Sequence, residues 1–299
     1  MPSISVIIPV FNVEAFLPRC LDSLLGQSFQ DWEAICVDDG STDGSAGILD
    51  AYATRDPRFR IVHKVNGGVS AARNSALPLI AGEYTLLMDA DDFMHPQLME
   101  ICLHFAKRDG CDLVAFTYHR GYRSKLMRLH LLNQPDPKTI AFEHYNIDKI
   151  QSRRAEDIFD WVSERSITGL LRQKGKWTVK HCQTWRCLYR SDIVRNVPFP
   201  DFDIYEDVVW WGEVLLQVRS ATILNLPLYY YYPNRTSVIL TAAQERRVAC
   251  LRLVLEHSEA FYKAHATPRQ QAIWEREFLS KFRQKLIQKE RQLARKKSS

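Results

Sequence analysis

Three carboxylates fall within four residues at the end of an apolar run, in the stretch "LLMDADDF" (Leu86–Phe93). Asp89, Asp91 and Asp92 repel one another at this spacing and are costly to desolvate. Two readings compete, a solvated acidic turn or a seat for a cation. Two more acidic groups stand out. "VDDGSTDGS" brings Asp38, Asp39 and Asp43 together with turn-forming and helix-capping residues. "YEDVVW" sets Glu206 and Asp207 side by side, where an acid pair at a helix start would be favoured by the helix dipole.

These acids must be positioned by the surrounding elements. Ser3–Val10 is a β-rich run, and Ala15–Gln27 has helical spacing in Phe16, Cys20, Leu21, Leu24 and Leu25. Glu33–Val37 reads as a second strand, and a short helix follows through Ile48, Leu49 and Tyr52. Arg60–His63 reads as a strand, "NGGVSAARNSALPLI" as a glycine turn into a helix, Tyr84–Met88 as a strand, Pro96–Lys107 as a helix and Asp112–Phe116 as a strand. Strands alternating with helices predict βαβ units and a mostly parallel α/β sheet. Continuous runs such as "SVIIPV" suit strands covered on both faces. Ligands of open α/β sheets bind at the carboxyl ends of the strands. Pro9–Asn12, Asp38–Asp43 and Asp89–Asp92 all occupy such places.

With 299 residues, 46% hydrophobic and 25% charged, the chain can bury a sizeable core and is not a disordered protein. Net charge is +5, but the region from Leu279 to Ser299 holds eight Lys or Arg and one acid, Glu290. The body is therefore close to neutral and the tail basic. No nucleic-acid motif appears and the body is not basic, which argues against nucleic-acid binding. Seven scattered cysteines without a CxxC pair predict a reducing compartment, with Cys20, Cys36 and Cys102 as small core residues. His181, Cys182 and Cys187 fit no standard zinc spacing. No apolar window approaches the roughly 18 residues of a membrane span, and "MPSISVIIPVFN" lacks a basic n-region. The expectation is a cytoplasmic protein, and "NRT" at Asn234 reads as a chance glycosylation match.

In chain order, "SVIIPVFN", "VDDGSTDGS", "NGGVSAARNSAL", "YTLLMDADD" and "YEDVVW" together resemble the family 2 glycosyltransferases with the GT-A fold. The resemblance spans roughly residues 3–213; each motif alone is weak, and the ordered set is specific. It implies a Rossmann-like, mostly parallel sheet flanked by helices. It also implies an inverting transfer of a hexose or hexosamine from a nucleoside diphosphate sugar, by family habit a UDP-sugar, to a hydroxyl of a saccharide or lipid-linked saccharide. A bacterial surface polysaccharide or lipopolysaccharide is the class-level expectation for the acceptor. The implied cofactor is a divalent cation, Mn²⁺ or Mg²⁺, between carboxylate and phosphate oxygens.

The resemblance also assigns residues. Asp89-Ala90-Asp91 matches the aspartate-x-aspartate motif, with Asp91 as metal ligand, Asp89 nearer the ribose, and Asp92 able to share either role. Asp39 matches the aspartate that accepts from the base, while Asp38 or Asp43 reads as a structural cap. Pro9 and Asn12 shape the first-strand loop that the family uses against base and ribose, and Glu14, also assigned to the donor site, is expected to start the next helix. Gly67 and Gly68 allow close backbone approach, and Arg73 resembles an arginine of the donor pocket. Asp207, with Glu206 second, matches the catalytic base. Asp201 and Asp203 are weaker candidates, Arg235 and Ser237 loosely match a late loop that closes on the diphosphate, and Trp185, Trp210 and Trp211 are either sugar platforms or core.

A sugar nucleotidyltransferase would show a glycine-rich loop after the first strand, where this chain reads "PVFNVEAF". A glycoside hydrolase uses paired carboxylates but needs no diphosphate site, and a non-catalytic scaffold is the remaining alternative. The expected organisation is a catalytic unit over 1–240, with a nucleotide-binding half (1–120) and an acceptor half (121–240), then a helical basic extension over 241–299. The acceptor half, about Gly121 to Lys180, is the least patterned. In the tail, Phe278, Phe282, Leu286 and Leu293 form an apolar stripe. Such a helix either lies on an anionic membrane or packs on the body or another subunit.

Overall fold

The first strand, β1 (Ile4–Val10), lies between β2 (Trp32–Asp38) and β4 (Tyr84–Leu87), and β3 (Phe59–His63) pairs with the far side of β2. The structure is a computed structural model that describes residues 1–120, 142–163, 183–202, 204–232, 234 and 242–297. All pairings among β1–β4 are parallel. Ile4, Val6, Ile7 and Ile8 of β1 are fully buried, because helices cover both faces of this half. Pro9 fits a central strand because pairing with β4 ends at Ile7, two residues earlier.

The connections are α1 (Leu17–Leu25), α2 (Ser45–Arg55) and α3 (Gly68–Ala76). Beyond β4 lie the short β5 (Phe93–Met94), α4 (Leu98–Asp109), β6 (Leu113–Arg120), β7 (Ser152–Ala155) and α5 (Ile158–Ser163). Then come β8 (Cys187–Arg190), α6 (Ser191–Asn196), α7 (Glu206–Gln217) and β9 (Ala221–Tyr231). β8 runs antiparallel to β4 and β6, so the second half of the sheet is mixed, in the order β4-β8-β6-β9-β5 with β7 on β9. The tyrosine-rich run is a strand, as expected, and its end reaches the turn after β4.

The C-terminal region is α8 (Gln244–His265), α9 (Pro268–Trp274), a π-helical stretch Glu275–Leu279 and α10 (Ser280–Lys297). Thr267 and Gln270 form a capping box that starts α9. The apolar residues of these helices join the cluster that holds Trp210 and Trp211. Phe282 is fully buried, Phe278 and Leu279 are nearly so, and Leu286 packs beside them. The stripe proposed for a membrane is therefore spent on the body. Trp185, Trp210 and Trp211 are core residues rather than exposed platforms. Cys20, Cys36 and Cys102 are buried free thiols, as expected. No helix among the described residues is long and apolar enough to cross a membrane.

Candidate active site

The turn after β4 is held from four directions. Asp92 N donates to the Asp89 carbonyl at 3.1 Å, which closes the turn. The Asp89 amide donates to Tyr229 Oη at 3.2 Å. The Asp92 carboxyl is fully buried, and its Oδ1 accepts the Tyr232 amide at 2.6 Å. Arg19 of α1 donates from Nη2 to the Asp91 carbonyl at 2.8 Å. Its guanidinium lies 4.5 Å from the Tyr232 ring centroid and 5.0 Å from that of Phe93. Nothing in "PRCLDSLL" marked Arg19 as functional; a lone arginine on an amphipathic helix reads as surface until the turn is placed beside it.

Arg73 joins this turn to the acid pair at the start of α7. Its Nη2 donates to Asp89 Oδ1 at 3.1 Å and its Nη1 to Glu206 Oε1 at 2.8 Å, across 133 residues of chain. The guanidinium is buried, which disfavours its charge, but the Asp89 and Glu206 carboxylates outweigh this and hold it above the usual arginine range. Two distant motifs therefore share one cation. Asp207 stands next in line, half-buried, with Oδ1 accepting only its neighbour's amide, Val208 N, at 2.9 Å among the described residues. Burial, then the adjacent Glu206 charge, raise its pKa well above the ordinary carboxylate range.

Asp89 is the acid of the turn paired with a cation; among the described residues no ion pair involves the carboxylate of Asp91 or of Asp92, and Asp91 is the less buried of those two. Burial and the Asp89 charge push it up to about 6, with Asn234 hydrogen-bonded to it. A carboxylate in this state suits a divalent ion, which reverses the local preference for the neutral form. Among the described residues no three His, Cys, Asp or Glu side chains converge as a ready-made metal cage. One or two carboxylates completed by substrate phosphates is the pattern expected of Mg²⁺-type sites, and Asp91 with Asp89 fits it. Asp92, expected as an alternative ligand, faces the interior and anchors Tyr232 instead.

The loop after β2 packs against the loop after β1. Asn12, in a left-handed conformation at φ 51°, accepts the Thr42 amide at 2.7 Å through Oδ1. Glu14 does not start α1 but sits in the preceding turn, where Oε2 accepts Gly44 N at 2.6 Å. Asp43 Oδ1 accepts the amide of Ser45, the first residue of α2, at 3.0 Å, as expected for a cap, whereas Asp38 accepts Ser41 N at 3.0 Å within the loop before α2 and closes a turn rather than capping a helix. Asp39 is buried and engaged by Lys64 Nζ at 2.6 Å, Gly67 N at 3.0 Å and Gly68 N at 2.7 Å. Gly68 has φ 86°, which lets the chain turn into α3 with both amides aimed at this carboxylate. Lys64, missed in the sequence, sits at the end of β3 for this purpose. Ala90 is buried under the turn, Pro9 is half-buried and Asp201 is exposed. Arg235, Ser237 and Asp203 lie outside the described residues.

A half-parallel, half-mixed sheet with carboxylates gathered at its strand ends is the architecture of the GT-A fold. The overall shape agrees with TarS from S. aureus in complex with UDP-GlcNAc, at TM-score 0.63 and 18% identity over 94% of this chain and 80% of that one. It also agrees with the mannosyltransferase PcManGT from Pyrobaculum calidifontis in complex with GDP-Man and Mn²⁺, at TM-score 0.61 and 17% identity over 100% of this chain and 76% of that one. Residues 5–197 match the sequence profile of glycosyl transferase family 2, and the chain belongs to that family. The uncharacterized glycosyltransferase EpsJ of Bacillus subtilis is 38% identical over 241 residues, 80% of this chain and 63% of EpsJ. Chondroitin synthase of Escherichia coli is 35% identical over 121 residues, 40% of this chain and 18% of the synthase. The chain thus spans less than two thirds of the length of EpsJ.

Proposed function

We propose that this glycosyltransferase is a divalent-cation-dependent, inverting enzyme. It moves a hexose or hexosamine from a nucleoside diphosphate sugar, a UDP-sugar first, to a hydroxyl of a saccharide acceptor. The reading rests on one observation: Arg73 ties the Asp89–Asp92 turn to the Glu206–Asp207 pair, so donor-side and acceptor-side acids share one site. An inverting displacement needs this arrangement, with a base on the side of the sugar opposite the departing diphosphate.

In this reading Asp91, with Asp89, holds Mn²⁺ or Mg²⁺, and Asp89 also faces the ribose. The bound cation supplies charge neutralisation for the leaving diphosphate. Pro9, Asn12, Glu14, Asp39 and Gly67 form the wall against the base and ribose, with Ala90 beneath and Arg235 on the late loop. Asp207 takes the acceptor proton. Glu206 is committed to Arg73, whereas among the described residues no ion pair involves the Asp207 carboxylate, and its pKa is raised toward the working range of a general base. The likeness to a chondroitin synthase supports a polysaccharide product, and bacterial surface polysaccharide or lipopolysaccharide is the proposed setting. Contact with an anionic membrane would run through exposed basic residues of α10, such as Arg291, and not through its buried stripe.

A thermal-shift series with UDP, GDP and Mn²⁺, alone and paired, tests the donor and cation assignments. A shift for nucleotide plus Mn²⁺ larger than for either alone is expected. Release of UDP or GDP from a panel of sugar nucleotides, with and without chelator, then identifies the sugar. Metal-independent release at the same rate would refute the cation assignment.

A further inference from the structure

The basic C-terminal helix has no role in the proposed chemistry, yet it reaches Tyr205, the residue before the acid pair. Tyr205, immediately before Glu206, is one of two non-glycine residues among those described with a left-handed backbone, at φ 69°. A bulky residue is uncommon there, and such strain persists only when the surroundings over-determine it. The surroundings are the C-terminal helices. The Tyr205 ring is buried, edge-on to Phe282 of α10 with centroids 6.2 Å apart. Lys285, one turn further along α10, places Nζ 4.2 Å from the centre of the same ring, within cation–π range.

The π-helical stretch Glu275–Leu279 sets this contact. An extra residue in the turn rotates the helix that follows, and such wide turns concentrate at functional places. Here it brings Trp274, Phe278, Leu279 and Phe282 all to the buried side, with Trp274 and Phe278 stacked 3.9 Å apart. Arg283 braces the same helix on Glu259 of α8 and on Glu275.

We propose that α10 is a positioning element for the catalytic pair. Through Phe282 and Lys285 it clamps the Tyr205 ring, and the clamped ring holds the strained turn that aims Glu206 and Asp207 into the site. Tyr205, Phe282 and Lys285 are positioning residues and touch no reacting atom. The inference rests on the proposed role of Asp207 only for its effect on rate.

Hydrogen exchange followed by mass spectrometry tests the clamp without any substrate. Lys285→Ala and Phe282→Leu should speed exchange in the amides of residues 204–209 while β1 and β2 keep their protection. Lys285→Arg, which retains a cation over the ring, should restore it. In parallel, Lys285→Ala should lower UDP or GDP release from the sugar nucleotide found by the donor screen by about 10- to 100-fold, the scale of a misplaced catalytic group. Nucleotide–Mn²⁺ affinity should stay within about twofold, since the donor side is not clamped by α10. Unchanged exchange at 204–209 in both variants overturns the inference. Equal loss of nucleotide–Mn²⁺ affinity and of release also overturns it, because α10 would then be supporting the whole body. A wild-type protein that releases no nucleotide from any donor refutes the proposed function, and the exchange result still decides the clamp.

Discussion

Arg73 is the residue on which the proposed site turns, because it offsets two carboxylates that would otherwise repel each other. Asp207 beside it carries a raised pKa from burial and from Glu206. A base must be ionised to work, so turnover should fall as pH drops through that raised value, well above the ordinary aspartate range of about 3.9. Glu206→Gln removes the neighbouring charge and should move this acid limb to lower pH, measured as a kcat–pH profile. Asp207→Asn should lower turnover by about 10²-fold with nucleotide–Mn²⁺ affinity within about threefold. Its effect on stability runs the other way. A carboxyl whose pKa rises on folding holds its proton more tightly when folded, so its cost appears as pH climbs and vanishes below the ordinary value. Asp207→Asn should therefore raise Tm at pH 8 and leave it unchanged near pH 3. Asp91→Asn should abolish Mn²⁺-dependent nucleotide affinity in a calorimetric titration. Arg19→Met, which frees the Asp91 carbonyl, should weaken that affinity by about tenfold, as loss of a ligand's supporting partner does.

Packing between elements decides how α7 is held. Gly212 lies in the middle of α7, and a Cβ there would meet Trp274 Cζ2 at 2.7 Å. The Tyr262 hydroxyl donates to the Gly212 carbonyl at 2.7 Å, so α8 and α9 close on this one residue. Gly212→Ala gains helix propensity but forces the indole aside. The clash should win, with a net loss of about 1–3 kcal/mol in denaturant unfolding. A gain in stability would mean that Trp274 moves freely, contrary to its full burial and its stacking 4.7 Å from Tyr262.

At the scale of the whole molecule, the C-terminal helices are part of the core that backs the sheet. Deleting residues 280–299 removes Phe282, which is fully buried, and leaves Tyr205 and Phe278 uncovered. Truncating a buried Phe alone costs about 3–5 kcal/mol. The truncated chain should show a much lower Tm and bind a hydrophobic dye, whereas deleting 291–299, where no residue described is buried, should leave Tm within about 2 °C. A deletion of 280–299 that left Tm unchanged would show that the basic tail is a mere appendage.

The chain's own pattern determined the parallel half of the fold. Continuous apolar runs that end on turn residues fix both the strands and the ends at which acids cluster, and these are local properties. Asp43 was legible as a cap for the same reason, since a cap acts within a few residues of itself. Other features depended on contacts between distant segments. Lys64 reaches Asp39 across 25 residues, Arg19 reaches Asp91 across 72, and Arg73 reaches Glu206 across 133. The side chain of a lone arginine or lysine looks the same in sequence whether it meets water or a buried carboxylate. The basic tail illustrates this most sharply: its apolar stripe was visible, but a helical stripe specifies only that something covers it. Here tertiary packing supplied the body itself, with Phe282 buried against Tyr205.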